Sequence, residues 1–159
     1  MFNILLAVAL VALDQFFKFL AVQQLKGAQA VTVIPHIIGF RYAENTGAAF
    51  SMFSGKVDFL IIVTAVALVA IAYAVIAKKF TDKIEEFCFV LIFAGGVGNL
   101  IDRVVQGKVV DYLEFLFIEF PIFNFADILV CFGVGLFAVY TVYTEFIAAK
   151  KKDDKKDVR

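Results

Sequence analysis

Residues 95–127 read GGVGNLIDRVVQGKVVDYLEFLFIEFPIFNFAD, a stretch that places glycines, asparagines, an arginine and several acids between two long apolar runs. Ionisable groups are costly near hydrocarbon, so a cluster of them at the ends of membrane segments indicates a functional site. The whole chain is 62% hydrophobic, with twenty Phe and a mean hydropathy of +0.90. Soluble domains are about half apolar. The sequence therefore predicts an integral membrane protein.

Four apolar stretches are long enough to cross about 30 Å of hydrocarbon as helices, which takes about 20 residues each. They are residues 2–22, 57–77, 87–105 and 125–149. We predict an all-α membrane protein with four transmembrane helices, in which residues 1–149 form a single domain. Residues 150–159, KKKDDKKDVR, form a charged cytoplasmic tail, predicted to be unstructured because it has little apolar surface to bury.

The basic residues predict the orientation of the chain in the membrane. They are concentrated between the second and third spans and after the fourth, at Lys78, Lys79, Lys83, Lys150, Lys151, Lys152, Lys155, Lys156 and Arg159. By the positive-inside rule these segments are cytoplasmic. Both termini are then cytoplasmic, and the loops at residues 23–56 and 106–124 face outward. The polar stretch accordingly lies near the outer face of the membrane.

The first outer loop is predicted to contain a small β-sheet. Residues 30–34 and 37–42 are rich in β-branched and aromatic side chains and are separated by Pro35 and His36, a pattern typical of two short strands. A turn at Asn45-Thr46-Gly47 follows, where glycine permits a close backbone approach. This extracytoplasmic sheet is expected to lie on the membrane surface.

Polar residues also occur inside the predicted spans. Asp14 and Lys18 are four residues apart on one helical face and are expected to pair, either as a tether at the interface or in support of a site. Glycines at positions 95, 96 and 98 predict a seam of close helix packing beside Asn99. Arg103, at the end of the third span, can bind a carboxylate or a backbone carbonyl, or lie at the interface as an anchor.

Asp111 and Asp127 are the candidate catalytic residues. Asn124 and Asp127 also resemble a capping box, so Asp127 has an alternative explanation as a helix-start acid. Asp111 follows one span outward and Asp127 begins the next span inward, which predicts that the two acids lie at the same depth. Two close carboxylates tend to share a proton, leaving one as base and one as acid, as needed to activate water against an amide. This pattern favours hydrolysis of a peptide bond near the membrane surface.

Other chemistries have weaker support. Cys88 and Cys131 fall inside predicted spans and His36 stands alone, so we expect no metal site and no cofactor. Paired acids also occur in proton-coupled transporters and channel subunits, which remain an alternative function. The acids gather at one interface and the second span has no ionisable residue between Asp58 and Lys78, which disfavours a path through the membrane. A purely structural membrane subunit would leave the polar cluster unexplained.

Five ordered blocks of sequence resemble the lipoprotein signal peptidase family, also called signal peptidase II. They are Asp14-Gln15 with Lys18, NTGAAFS at residues 45–51, the GG, GN and DR pairs at 95–96, 98–99 and 102–103, VVDY at 109–112, and FNFAD at 123–127. The resemblance implies a four-helix membrane bundle with an outer β-cradle. It also implies an aspartic endopeptidase that cleaves bacterial prolipoproteins just before a diacylglyceryl-modified cysteine.

The resemblance implies roles for individual residues. Asp111 and Asp127 correspond to the catalytic pair, and the supporting or substrate-binding positions correspond to Asp14, Lys18, Asn45, Gly47, Asn99, Arg103, Asn124 and Ala126. The chain departs from the family at Tyr112, where Phe is frequent, and at Ile128, where Ser is common. The expected setting is the bacterial cytoplasmic membrane, with lipid-modified prolipoprotein signal peptides and membrane lipids as partners. We expect a monomer that has no nucleic-acid partner.

Overall fold

Four helices and three strands make up the fold, which a computed structural model describes for residues 2–48, 50, 52–77, 79–80 and 82–157. In chain order the elements are α1 (Phe2–Leu25), β1 (Val31–Ile34), β2 (Ile38–Asn45), α2 (Val57–Ile76), α3 (Lys83–Gln106), β3 (Val109–Phe115) and α4 (Phe125–Asp157). Ala49 and Ser51 of the NTGAAFS block, and Lys78 and Arg159 of the basic segments, lie outside the described residues.

The four predicted transmembrane helices are confirmed. Among the described residues, Asn3–Leu25, Val57–Ile76, Lys83–Gln106 and Phe125–Ile147 are long and apolar enough to cross a membrane. Helix α3 packs against each of the other three helices, and about half of its most apolar window is buried. It is therefore the central helix of the bundle.

Local signals determine where α3 begins and ends. The Asp82 side chain accepts hydrogen bonds from the backbone N–H groups of Ile84 and Glu85 and so caps the first turn. Gly107 follows the last turn in the left-handed conformation, with φ of +69°, which glycine adopts without a steric penalty. The chain therefore reverses direction sharply, and β3 begins two residues later at Val109.

The sheet is antiparallel in the order β1-β2-β3. Its first two strands confirm the predicted pair, although β2 continues to Asn45 rather than residue 42. Strand β3 was not predicted, and the expectation that Asp111 follows directly from a membrane helix is wrong. Asp111 lies within β3 and pairs with Ala43 of β2. The reason is that Gly107 ends α3 before Asp111, and the β-branched and aromatic residues after Gly107 pair with β2.

The packing of β3 determines which way Asp111 faces. Val110 and Tyr112 form a buried cluster with Ala21 of α1. Successive side chains of a strand point to opposite faces. Asp111 therefore faces away from that cluster, toward the ends of α3 and α4.

The predicted glycine seam on α3 is confirmed. A Cβ atom added at Gly95 would collide with the backbone oxygen of Ala126 and lie 2.8 Å from Val130 of α4. A Cβ atom added at Gly98 would overlap the carboxylate of Asp14 in α1. These glycines allow α1 and α4 to approach α3 at the end of the bundle that carries the sheet.

The expectation that the C-terminal tail is unstructured is wrong for residues 150–157, because α4 continues to Asp157. The segment contains no glycine or proline after Gly135 to end the helix. Extending an existing helix requires no new nucleation step, so charged residues that are adequate helix formers can continue it.

Candidate active site

Asp111 is buried on strand β3, with 2% of its surface exposed. Its carboxylate accepts hydrogen bonds from Asn45 Nδ2 at 3.1 Å and from Asn124 Nδ2 at 2.6 Å. Burial and the nearby charge of Asp127 raise the pKa of Asp111 to about 7, although the two asparagine hydrogen bonds act in the opposite direction. A carboxyl group with such a pKa can hold a proton near neutral pH.

Asp127 is half-buried in the first turn of α4, where the capping box is confirmed. The Asp127 N–H donates to Asn124 Oδ1 at 3.0 Å, and the Asn124 N–H donates to Asp127 Oδ2 at 3.0 Å. The other carboxylate oxygen, Oδ1, accepts from Asn99 Nδ2 at 2.8 Å. These donors and the helix N-terminus stabilise negative charge on Asp127.

Asn124 joins the two acids. Its side-chain Nδ2 donates to Asp111, while its backbone N–H donates to Asp127. Both acids are therefore in direct contact with a single residue, and the predicted meeting of Asp111 and Asp127 occurs. It occurs between a strand and a helix rather than between two helices.

A second charged cluster lies beneath the pair, in the space between α1 and α3. The Lys18 ammonium group is 2.9 Å from Asp14 Oδ2 and 3.1 Å from Asp102 Oδ2, so the predicted pairing of Asp14 and Lys18 is confirmed. Gln15 Nε2 lies within 3.2 Å of an oxygen of each acid. Asp14, Lys18 and Asp102 are all buried.

Both acids of this second cluster hold the backbone next to a candidate catalytic residue. Asp14 Oδ1 accepts the N–H of Ala126 at 3.0 Å, one residue before Asp127. Asp102 Oδ2 accepts the N–H of Val110 at 3.1 Å, one residue before Asp111. The cluster therefore fixes α4 and β3 relative to each other.

Arg103 and Asn45 hold the backbone at Gly47 from two sides. Arg103 donates to the Gly47 carbonyl oxygen at 2.9 Å, and the Gly47 N–H donates to Asn45 Oδ1 at 2.8 Å. Within the described part of the chain, Nε of Arg103 is buried and has no hydrogen-bond acceptor. Arg103 is thus a half-buried cation beside both acids, and its buried Nε–H is unpaired in the described part of the chain.

A cavity of about 240 Å³ reaches Asp111 from the surface, between β2 and the segment after β3. A larger groove of about 700 Å³, lined by Phe50 and residues 114–121, adjoins it at Pro121. The smaller cavity is lined by Ala43, Glu44, Asn45, Thr46, Ser54, Asp111, Pro121 and Ile122. A polar cavity that reaches a candidate catalytic acid therefore lies beside a mostly apolar groove.

Charged residues surround the entrance of the smaller cavity. The Glu44 carboxylate is 2.6 Å from Lys108 Nζ and 3.2 Å from Lys26 Nζ, and it accepts a hydrogen bond from Tyr42. The hydrogen bond from Lys108 is the main cause that lowers the pKa of Glu44 to about 2. Glu44 is therefore ionised at neutral pH.

The structure connects every residue that the sequence singled out for the site into one network. Two members were missed as candidates, Gln15 and Asp102. Asp102 lies three residues after Asn99 on the same helical face, a spacing that could have identified it. Among residues 2–48, 50, 52–77, 79–80 and 82–157, no group of three or more His, Cys, Asp or Glu side chains is arranged to hold a metal ion.

Comparison with known sequences shows relatives along most of the chain. The profile of a family described as Signal peptidase (SPase) II matches residues 6–143. A lipoprotein signal peptidase of Brevibacillus brevis is 35% identical over 136 residues, which cover 86% of this chain and 91% of the relative. One from Staphylococcus aureus strain MRSA252 is 37% identical over 139 residues, covering 86% and 85%.

Solved structures are similar over the same extent. One, described as "Bacterial membrane enzyme structure by the in meso method at 2.3 A resolution", has a TM-score of 0.83 at 36% identity. The match covers 89% of this chain and 87% of the other. A second, with the same description at 1.9 A resolution, has a TM-score of 0.79 at 36% identity. Sequence and fold are therefore shared along nearly the whole chain.

Proposed function

Because this chain belongs to the signal peptidase II family, we propose that it is an aspartic endopeptidase that removes signal peptides from diacylglyceryl-modified prolipoproteins. The cut falls immediately before the lipid-modified cysteine. The observation that best supports an aspartic mechanism is that Asn124 donates hydrogen bonds to both Asp111 and Asp127. Family membership favours this function over a proton-coupled transporter.

In the proposed reaction Asp127 is the base and Asp111 is the acid. Asp127 takes a proton from a water molecule, whose oxygen attacks the carbonyl carbon of the scissile peptide bond. Asp111 gives its proton to the carbonyl oxygen, so a neutral tetrahedral diol forms. The raised pKa of Asp111 and the two hydrogen-bond donors and helix N-terminus at Asp127 support this assignment.

Breakdown of the diol reverses the two proton movements. Asp127 gives its proton to the leaving nitrogen as the carbon–nitrogen bond breaks. Asp111 takes a proton back from a hydroxyl group, which restores the carbonyl of the product acid. Both acids return to their starting states, so the cycle needs no other reactant than water.

The surroundings of the two acids fit an extended apolar substrate. The groove lined by Phe50 and residues 114–121 is mostly apolar, with Glu114 and Glu119 among its residues, and adjoins the cavity that reaches Asp111. Arg103 lies beside both acids and holds the Gly47 carbonyl, next to the cavity wall at Asn45 and Thr46. We assign the groove to the side chains of the signal peptide.

The positive-inside rule supports an active site near the outer face of the bacterial cytoplasmic membrane. The sheet and the two acids lie at one end of the bundle, whereas the Lys-containing α2–α3 connection and the C-terminal end of α4 lie at the other. This orientation places both termini in the cytoplasm. It also suits a substrate whose lipid anchor lies in the outer leaflet.

The dyad is tested by replacing each acid with its amide in the full chain. Asp111→Asn and Asp127→Asn remove the carboxyl group that gains and loses a proton but keep size and hydrogen bonding, so each should reduce cleavage of a lipid-modified prolipoprotein by about 10⁴-fold or more. The double variant should be hardly slower than either single variant, because the acids act as a unit. The measurement is the rate at which the shortened product forms.

Asp58→Asn is the matched control, since Asp58 is an exposed acid in the first turn of α2 at the same end of the bundle. Its activity should stay within about twofold, as expected for an exposed surface charge. Normal cleavage by Asp111→Asn or Asp127→Asn would refute the aspartic mechanism for that residue. A native chain that leaves the prolipoprotein intact would refute the substrate assignment.

A further inference from the structure

We propose that Lys18 is a positioning residue whose ammonium group sets the orientation of the Asn99 side-chain amide and, through it, of Asn124. Both asparagines then present N–H groups to the two catalytic acids. The inference rests on the proposed function and adds a residue that acts on the reaction without touching the substrate.

The argument begins with the symmetry of the asparagine side chain. Its oxygen and nitrogen ends have nearly the same shape, so the groups around the amide decide which end faces which partner. A lysine ammonium group has three donors and no acceptor. Lys18 Nζ lies 2.9 Å from one end of the Asn99 amide, and that end must therefore be the oxygen. The nitrogen is then directed at Asp127 Oδ1, at 2.8 Å.

Lys18 has no freedom to bond elsewhere. It is 3% exposed, and its three nearest acceptors are Asp14 Oδ2 at 2.9 Å, Asp102 Oδ2 at 3.1 Å and Asn99 Oδ1 at 2.9 Å. Three protons thus meet three acceptors. Because the donor is charged and buried, each bond is stronger than a neutral one. The orientation of Asn99 is accordingly fixed by a group that cannot accept a hydrogen bond.

The orientation of Asn99 in turn determines that of Asn124. Asn99 Oδ1 also accepts from Asn124 Nδ2 at 3.1 Å, and the second proton of that nitrogen goes to Asp111 Oδ1 at 2.6 Å. The other end of the Asn124 amide accepts the N–H of Asp127. The Asn99 orientation that Lys18 requires is therefore the one in which both asparagines donate to the acids.

A reversed Asn99 would disrupt this arrangement. Its oxygen would face the carboxylate of Asp127, and its nitrogen would face the donor Asn124 Nδ2. Both contacts would be repulsive, in a buried site where unsatisfied polar groups are costly. Lys18 does not line the cavity that reaches Asp111. Its loss should therefore reduce kcat and leave KM nearly unchanged.

The test is a double-mutant cycle in the purified full chain, with a diacylglyceryl-modified prolipoprotein as substrate. Lys18→Met should reduce kcat by about 30-fold, which corresponds to about 2 kcal/mol, while KM stays within about twofold. Asn99→Ala removes the amide through which Lys18 acts. In the Asn99→Ala background, Lys18→Met should therefore reduce kcat by no more than about threefold further.

A second background, Asp102→Asn, keeps the test usable if Lys18→Met alone does not fold. Lys18→Met alone leaves Asp14 and Asp102 buried without a counter-ion, which is destabilising. Lys18→Met combined with Asp102→Asn leaves one buried negative charge, as in the native cluster of two carboxylates and one ammonium group. If circular dichroism shows that Lys18→Met is unfolded, the cycle is measured with Asp102→Asn in all four proteins.

The outcomes separate this inference from the function on which it rests. If the losses from Lys18→Met and Asn99→Ala multiply, or if Lys18→Met raises KM without lowering kcat, Lys18 does not act through Asn99 and the inference is wrong. The proposed function survives that result as long as the native chain cleaves and Asp111→Asn does not. If the native chain fails to cleave the substrate, both the function and the inference are refuted.

Discussion

Replacing Gly98 with alanine should destabilise the protein, because Gly98 lies against the carboxylate of Asp14. A methyl group at position 98 would overlap Asp14 Oδ2 and lie 3.0 Å from Asp14 Cγ. That carboxylate cannot easily move away, since it is bonded to Lys18 at 2.9 Å and to the N–H of Ala126 at 3.0 Å. The substitution therefore strains the contact between α1, α3 and the start of α4.

Three contributions set the magnitude for Gly98→Ala. Overpacking of a close contact costs about 1–3 kcal/mol. Weakening a hydrogen bond to a charged, buried carboxylate costs about 1.5–3 kcal/mol. The better helix propensity of alanine offsets about 1 kcal/mol. We expect the free energy of unfolding to fall by about 3 kcal/mol, which is roughly a 100-fold change in the folding equilibrium.

Gly135→Ala is the control for the Gly98 experiment. In the described part of the chain, a Cβ atom at Gly135 would have no heavy atom within 4 Å, so alanine should be neutral or stabilising by up to about 1 kcal/mol. Both variants are unfolded reversibly in mixed micelles, and helix content is followed by circular dichroism. If Gly98→Ala proves as stable as Gly135→Ala, the tight contact with Asp14 does not contribute as argued.

Three further predictions concern the site and its orientation. With a pKa of about 7, Asp111 loses its proton as pH rises through neutrality, so the rate of cleavage should decline above about pH 7. A rate that stays constant to pH 9 would contradict the role of Asp111 as the acid. Arg103→Lys should lower kcat/KM by roughly tenfold, because lysine lacks the planar guanidinium group whose Nη2 donates to the Gly47 carbonyl oxygen, and full activity would show that charge alone suffices. In intact cells of a variant without native cysteines, an impermeant thiol reagent should label a cysteine at Gln29 but not one at Lys155; the reverse pattern would overturn the orientation.

Features that depend on neighbouring residues could be predicted from the sequence. The four spans follow from the length of apolar runs, because a membrane segment must satisfy its own backbone hydrogen bonds and a helix does so locally. The capping box of Asn124 and Asp127 and the pair of Asp14 and Lys18 are equally local, at spacings of three and four residues.

Strand β3 could not be predicted from the sequence alone. Its residues Val109, Val110 and Tyr112 carry a strand signal, but a strand forms only where a partner is available. That partner is β2, more than sixty residues earlier, with Ala43 opposite Asp111. The position of Asp111 beside Asn45 and Asn124 is therefore a consequence of long-range pairing.

The buried polar network also depends on the tertiary structure. Asp102 can be seen in the sequence as an acid at a helix end, but nothing local indicates that it bonds both Lys18 and the N–H of Val110. The orientation of the Asn99 amide likewise depends on an ammonium group 81 residues away in the chain. Sequence by itself determined the membrane helices and the types of reactive group, because those depend on short-range spacing. Only the packing of α1 and β3 against α3 and α4 decided which of the more distant donors face which carboxylate, because those hydrogen bonds join groups that are far apart along the chain.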